Sequence, residues 1–149
     1  MTWLRNTARL IERHEGRVPH AYQDSEGYWT IGVGHLIDER RGGGLPPHII
    51  DALLRYDMER VLAQARQLEV WDELDEVRRA VIVDMIFNLG MTGFLGFRRM
   101  RAALEAEDYE EAAREMLASK WARQVGRRAL TLAGMMRTGQ WPEWIHERG

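Results

Sequence analysis

Residues 15–35 read EGRVPHAYQDSEGYWTIGVGH, and this stretch decides how the chain is organised. Ala21-Tyr22-Gln23 and Tyr28-Trp29-Thr30-Ile31-Gly32-Val33 are β-prone, and Ser25-Glu26-Gly27 supplies a turn between them. Gly32, Gly34 and the run Gly42-Gly43-Gly44 are poor helix material. The economical reading is a small antiparallel sheet over about residues 20–38. Upstream, Trp3, Thr7 or Ala8, Leu10, Ile11 and His14 recur at helical spacing and Gly16 is a natural stop. That spacing predicts a first helix over residues 1–15.

Downstream the pattern is helical. Pro46-Pro47 suits a first turn, and Ile50, Leu54, Asp57 or Met58, Val61, Ala65 and Leu68 mark one face of a long connecting helix, about 46–68. Residues 75–89 are apolar nearly all round after their first turn, which predicts a central, buried helix ended by Gly90. Further amphipathic helices are expected at 97–105, 109–119 and 126–137, with Asp108 and Glu111 spaced as a capping box. Gly139, Trp141 and Pro142 begin a short tail; Trp121, Trp141 and Trp144, at helical spacings, read as core and lobe-packing residues. The fold class is therefore α+β: a first helix, a β lobe over about 16–45, the connecting helix, and a helical lobe over about 69–149. All 149 residues form one domain, with a cleft expected between the lobes.

The composition narrows the chemistry. Hydrophobic residues are 45% and charged residues 30%, as in a soluble globular protein. The absence of cysteine excludes a disulfide framework, a thiolate nucleophile and a Cys-built zinc site. His14, His20, His35 and His48 show no metal-ligand spacing on one face, so no metal and no cofactor is expected. The net charge of -2, without a basic recognition helix, argues against nucleic acid. That total hides an uneven spread. Residues 1–45 are neutral, residues 46–119 carry nine basic against fifteen acidic groups, and residues 120–149 carry six against two. Lys120 is the only lysine. No apolar run approaches the ~18 residues of a membrane span, and the first residues hold Arg5, Arg9, Glu12 and Arg13 in place of an export signal. Synthesis in the cytoplasm without membrane insertion is expected.

With 23 acidic residues, position is what singles out a carboxylate. Glu15 ends the first helix, Asp24 falls nine residues on at the β-turn, and Thr30 follows in the second strand. Glycosidic cleavage needs a protonated carboxyl to donate to the leaving oxygen and a second carboxylate to activate water or attack carbon. A helix C-terminus favours the protonated form of a carboxyl, whereas a carboxylate on a solvated turn stays ionised. The pair can therefore divide the two roles; the bland alternative is two solvated surface acids.

The same residues carry a resemblance. Glu15-Gly16, then Tyr22, Asp24, Gly27 and Thr30-Ile31-Gly32 through Gly34-His35, resemble the signature of the T-even phage lysozymes, glycoside hydrolase family 24. Asp75 to Ala80 with Phe87-Asn88-Leu89-Gly90, and Ser119-Lys120-Trp121 through Trp141, resemble that family's central helix and C-terminal region. The likeness implies a muramidase that cleaves the β-1,4 bond between N-acetylmuramic acid and N-acetylglucosamine in peptidoglycan, with inversion. By position, it makes Glu15 the general acid, has Asp24 hold or activate the attacking water, and has Thr30 position that water. It pairs Arg128 with Glu15 and His35 with Asp57, and sets Glu26 and Lys120 across the cleft. Trp29, beside the site, is a candidate for stacking on a sugar ring.

The chain also departs from the pattern. His14 stands where an acidic residue is usual, and Lys120 where an arginine is. The stretch from His35 to Asp57 is shortened, which bears on the outer sugar subsites. The whole reading is of a monomeric phage or prophage endolysin, kept in the host cytoplasm until a partner holin releases it to the wall. Its rivals are a lytic transglycosylase of related fold, which needs one glutamate and no water, and a non-catalytic glycan-binding or structural phage protein.

Overall fold

The computed structural model describes residues 2–23, 25–33, 35–37 and 44–146, apart from the side chains of Trp3 and Thr7. Among these residues the chain is mostly helical with one three-stranded sheet, an α+β fold of the expected lysozyme-like kind. The elements are α1 (Thr2–Glu15), β1 (Val18–Gln23), β2 (Trp29–Gly32), β3 (His35–Leu36), α2 (Pro47–Ala65), α3 (Glu76–Leu95), α4 (Arg98–Glu105), α5 (Tyr109–Leu117), α6 (Lys120–Val125) and α7 (Arg127–Thr138). They group into two compact units, Met1–Leu53 and Leu54–Gly149, with the division falling inside α2.

In the first unit, α1 stops where the glycine stands. Gly16 takes a left-handed φ of 79°, which a Cβ would resist. Its N–H closes the helix on the Glu12 carbonyl at 2.8 Å, the single-bond form of a glycine C-cap. The sheet that follows is antiparallel in the order β1-β2-β3. Tyr22 pairs with Thr30 and Gln23 with Trp29, while Thr30 and Ile31 pair with Leu36 and His35 on the other side. The β1 register shifts between Val18 and Tyr22. Pro19 lies in that interval and has no N–H to give the ladder, so an irregularity is least costly there.

The second unit is built round α3. Val77, Val81, Ile82, Met85 and Ile86 are all buried, as the apolar character of 75–89 predicts. The helical geometry breaks at Gly90, whose φ of 77° and ψ of 162° are nearly glycine-only values, and helix resumes to Leu95. Phe94, Met100, Met116 and Met136 join them in the core with essentially no exposure. Among the described residues, three helices start on a side-chain cap. Asp75 accepts from Arg78 N, Asp108 from Glu111 N, and Ser119 from Ala122 N. The Asp108 cap lies where the capping-box spacing put it. The Ser119 cap starts α6, a helix the sequence reading left unassigned, and α5 ends at Leu117 to make room for it.

The tryptophans divide. Trp121 is buried, with its ring edge-on to Phe97 at 5.9 Å. Trp141 and Trp144, expected to pack, are 42% and 57% exposed. They lie beyond α7, on the tail and a short 3₁₀ turn, so the helical spacing used to place them does not apply. No single helix among the described residues is long and apolar enough to cross a membrane.

Candidate active site

The first unit holds Glu15, Thr30, Trp29, Glu26 and His35. Glu15 is the last residue of α1 and is exposed, so its carboxyl stands at the helix end that the Gly16 cap defines. Asp24, the expected second carboxyl, lies outside the described residues. β1 ends at Gln23 and β2 begins at Trp29. Thr30 is the one buried polar residue among those described, at 4% exposure. Its hydroxyl donates to the Tyr28 carbonyl at 3.2 Å. With the proton committed there, the oxygen keeps its lone pairs to accept from a water, as a water-positioning hydroxyl must. Trp29 is half-buried next to it, Glu26 is exposed in the turn, and His35 is exposed on β3.

The second unit holds Arg128, Asp57 and Lys120. Asp57 is half-buried on α2. Arg128, in the first turns of α7, reaches α3. Its Nε donates to Asp84 Oδ1 at 2.8 Å and its Nη2 to the Asp84 carbonyl at 3.4 Å. Both side chains are about two-fifths exposed, at 39% and 40%. One turn further along α3, Asn88 Oδ1 accepts from the indole Nε1 of Trp121 at 2.8 Å. Asp84 and Asn88 therefore form a short polar edge at i, i+4 on a helix otherwise read as apolar. That edge ties α7 and α6 to α3. Asn88 belongs to the run that resembles the family's central helix, whereas Asp84 does not; two polar side chains four apart in a buried helix are a usable signal for both.

Lys120 opens α6 and is exposed. With Arg98, Arg99, Phe97, Trp121 and Glu115 it lines an open cavity of about 500 Å³ in this unit. Three cations against one carboxylate make the cavity attractive to anionic groups. Among the described residues, no group of three His, Asp or Glu side chains is placed to hold a metal ion.

Comparison with known proteins follows the same span. Residues 12–139 match the family model described as phage lysozyme. The chain is 32% identical over 133 residues to an endolysin of Acyrthosiphon pisum secondary endosymbiont phage 1, covering 88% of each protein. It is 25% identical over 157 residues to "Probable T4-type lysozyme 1" of Dictyostelium discoideum, covering 87% of this chain and 92% of that one. It is also 28% identical over 158 residues to the pre-baseplate central spike protein Gp5 of Enterobacteria phage T4, of which the match covers 28%.

Proposed function

This chain belongs to the phage lysozyme family, and from that premise we propose that it hydrolyses the β-1,4 MurNAc–GlcNAc bond of peptidoglycan by general acid catalysis on a positioned water. The observation that carries the proposal is a helix-end carboxyl and a buried hydroxyl in the first unit. Glu15 closes α1 beside the Gly16 cap, and Thr30 on β2 has its proton committed to the Tyr28 carbonyl.

In this reading Glu15 protonates the glycosidic oxygen as the bond breaks. Asp24 activates the water and faces the positive charge that develops at the anomeric carbon. Thr30 accepts a hydrogen bond from that water, which turns one oxygen lone pair toward carbon. Water attacks the face opposite the leaving group, so the anomeric configuration inverts; this geometry needs the two carboxyls ~6.5–9.5 Å apart. Arg128, His35 and Asp57 are supporting residues by the family resemblance, and Trp29 stacks on a sugar ring. Glu26 and Lys120 are candidate substrate contacts by the same resemblance, and the cationic lining at Lys120, Arg98 and Arg99 suits the carboxylates of the polymer. The protein acts as a monomeric endolysin, held in the host cytoplasm and released to the wall by a holin. The endolysin relative supports that role.

The test is product analysis. Purified protein and Glu15→Gln are each incubated with Gram-negative peptidoglycan and the products read by mass spectrometry. Hydrolytic muropeptides with free reducing ends, lost in the variant, are expected. Anhydro products would replace the proposal with a transglycosylase, and no products at all with a glycan-binding protein. Asp24→Ala should abolish turnover while the thermal melt barely moves; retained turnover would remove Asp24 from the mechanism.

A further inference from the structure

We propose that Glu115 is a specificity-determining residue: with Arg98, Arg99 and Lys120 it makes the cavity of the second unit select a peptide group that carries an ammonium beside carboxylates. The free side chain of a diamino-dicarboxylic acid in a peptidoglycan stem is such a group. The inference rests on the reading of peptidoglycan as substrate, and goes beyond it by naming the part of the stem that the cavity distinguishes.

The four charged groups come from three helices of the second unit. Arg98 and Arg99 open α4, Glu115 lies in the last turn of α5, and Lys120 opens α6. All four line the same open cavity of about 500 Å³. The cations are exposed and Glu115 is half-buried. Among the described residues, none of these four side chains forms an ion pair or a hydrogen bond, whereas Arg114 pairs with Glu111 and Arg128 with Asp84. Both signs of charge therefore face the cavity without cancelling each other. Phe97 and Trp121 give it an apolar wall, fixed by their edge-on ring contact and by the bond from Trp121 to Asn88.

This lining discriminates by charge pattern. A ligand with carboxylates alone gains from the cations but meets repulsion at Glu115, and one with an ammonium alone meets the reverse. A group bearing both satisfies both, and the excess of cations favours more carboxylates than amines. A diamino-dicarboxylic residue ends in an ammonium and a carboxylate on one carbon, joined to the peptide by methylenes that suit the aromatic wall. Cross-linking turns that amine into a neutral amide and removes the partner of Glu115. The cavity thus favours stems that are not cross-linked.

The test is a ¹H–¹⁵N NMR titration with a soluble disaccharide–tripeptide whose stem ends in the diamino acid, against the same molecule acetylated at the side-chain amine. The disaccharide is joined through its GlcNAc–MurNAc bond, so it has no MurNAc–GlcNAc bond to cut, and binding is read apart from turnover. The free-amine probe should shift the Trp121 indole and Lys120 signals and bind about fivefold tighter than the acetylated one, the upper range for one ion pair open to water. Glu115→Gln should bring the two affinities within about twofold by weakening the free-amine probe alone. Glu115→Ala repeats the measurement if the melt shows that the glutamine variant is not folded. Glu111→Gln, whose partner is Arg114, should keep the preference. Equal affinities in the unsubstituted protein, shifts confined to other residues, no binding of either probe, or a preference that survives in Glu115→Gln would each overturn the proposal. Polymeric peptidoglycan assayed beside it tests the parent reading: absence of hydrolysis there would overturn the muramidase mechanism, while the titration still decides the role of Glu115.

Discussion

Replacing Arg78 by alanine should be among the more damaging single changes to the second unit, although Arg78 is a charged residue in the first turn of a helix. Its side chain is only 14% exposed. Nε donates to the Met136 carbonyl at 2.7 Å and Nη2 to the Arg137 carbonyl at 3.2 Å. Those carbonyls belong to the last turn of α7, where the helix offers them no N–H. Arg78 thus caps the C-terminus of α7 from the N-terminus of α3 and places a cation at the negative end of a helix. Its Cζ also stands 3.7 Å from the centroid of the Tyr109 ring, which brings α5 into the same joint.

Each charged-donor hydrogen bond is worth about 1.5–3 kcal/mol, the ring contact about 0.5–2 kcal/mol, and the exposed-side pair with Asp75 at most about 1 kcal/mol. Ordering so long a side chain opposes these by about 2 kcal/mol. The net is on the order of 3 kcal/mol, or a fall in Tm of roughly 10–20 °C for a unit of this size. Arg78→Lys keeps the charge but loses the fork, and should fall about halfway. The assay is a far-UV circular dichroism melt with a urea titration to supply the free energy. The control is Arg114→Ala, which removes an exposed pair with Glu111 at 3.1 Å and should cost less than about 1 kcal/mol. A melt for Arg78→Ala within about 3 °C of that control would refute the capping argument. Turnover per folded molecule should not change with Arg78, since the residue joins helices and is not placed in the proposed mechanism.

Three further outcomes are expected. Burial pushes the Asp75 carboxyl up, but the hydrogen bonds from Arg78 and its charge outweigh this and hold it below the ordinary value of 3.8. A depressed carboxyl contributes stability above its unfolded value and loses it as pH falls through the folded one. The Tm gap between the protein and Asp75→Asn should therefore be present at pH 6 and close below about pH 4; a gap that widens in acid would contradict the pairing. Gly90→Ala meets no atom within 4 Å, so backbone strain alone should act, and a loss of about 1–3 kcal/mol is expected in the same melts. An alanine tolerated without loss would contradict the observed φ. Lysis rates should decline only gently over a salt series, because the net charge is -2 and the attraction is local to the cationic cavity. A steep decline would show that long-range steering dominates.

What was legible in the sequence depended on whether the cause was local. The end of α1 at Gly16, the break at Gly90 and the Asp108 cap each follow from a residue acting within one turn of itself, and each stands where the sequence put it. The buried character of α3 was legible for a related reason, since an apolar surface on every side leaves burial as the one stable outcome. Trp141 and Trp144 are exposed because the helical spacing that predicts their packing does not continue past α7. A tryptophan packs only if the chain brings a surface to it, and beyond α7 no helical period applies. Helix α6, at six residues, is too short for periodicity to register, and its sign in the sequence is the Ser119 cap alone.

The Asp84–Arg128 bond was hidden for a deeper reason. It joins residues 44 apart in sequence, and no local rule ties an aspartate in one helix to an arginine in another. Resemblance to the phage lysozymes singles out Arg128 but not the aspartate it bonds. A carboxylate inside an apolar helix is nevertheless a local exception to the burial pattern, and it needs a partner such as the arginine it meets. Scanning α3 for polar residues that interrupt its apolar pattern picks out Asp84 and Asn88, the two side chains that meet α7 and α6.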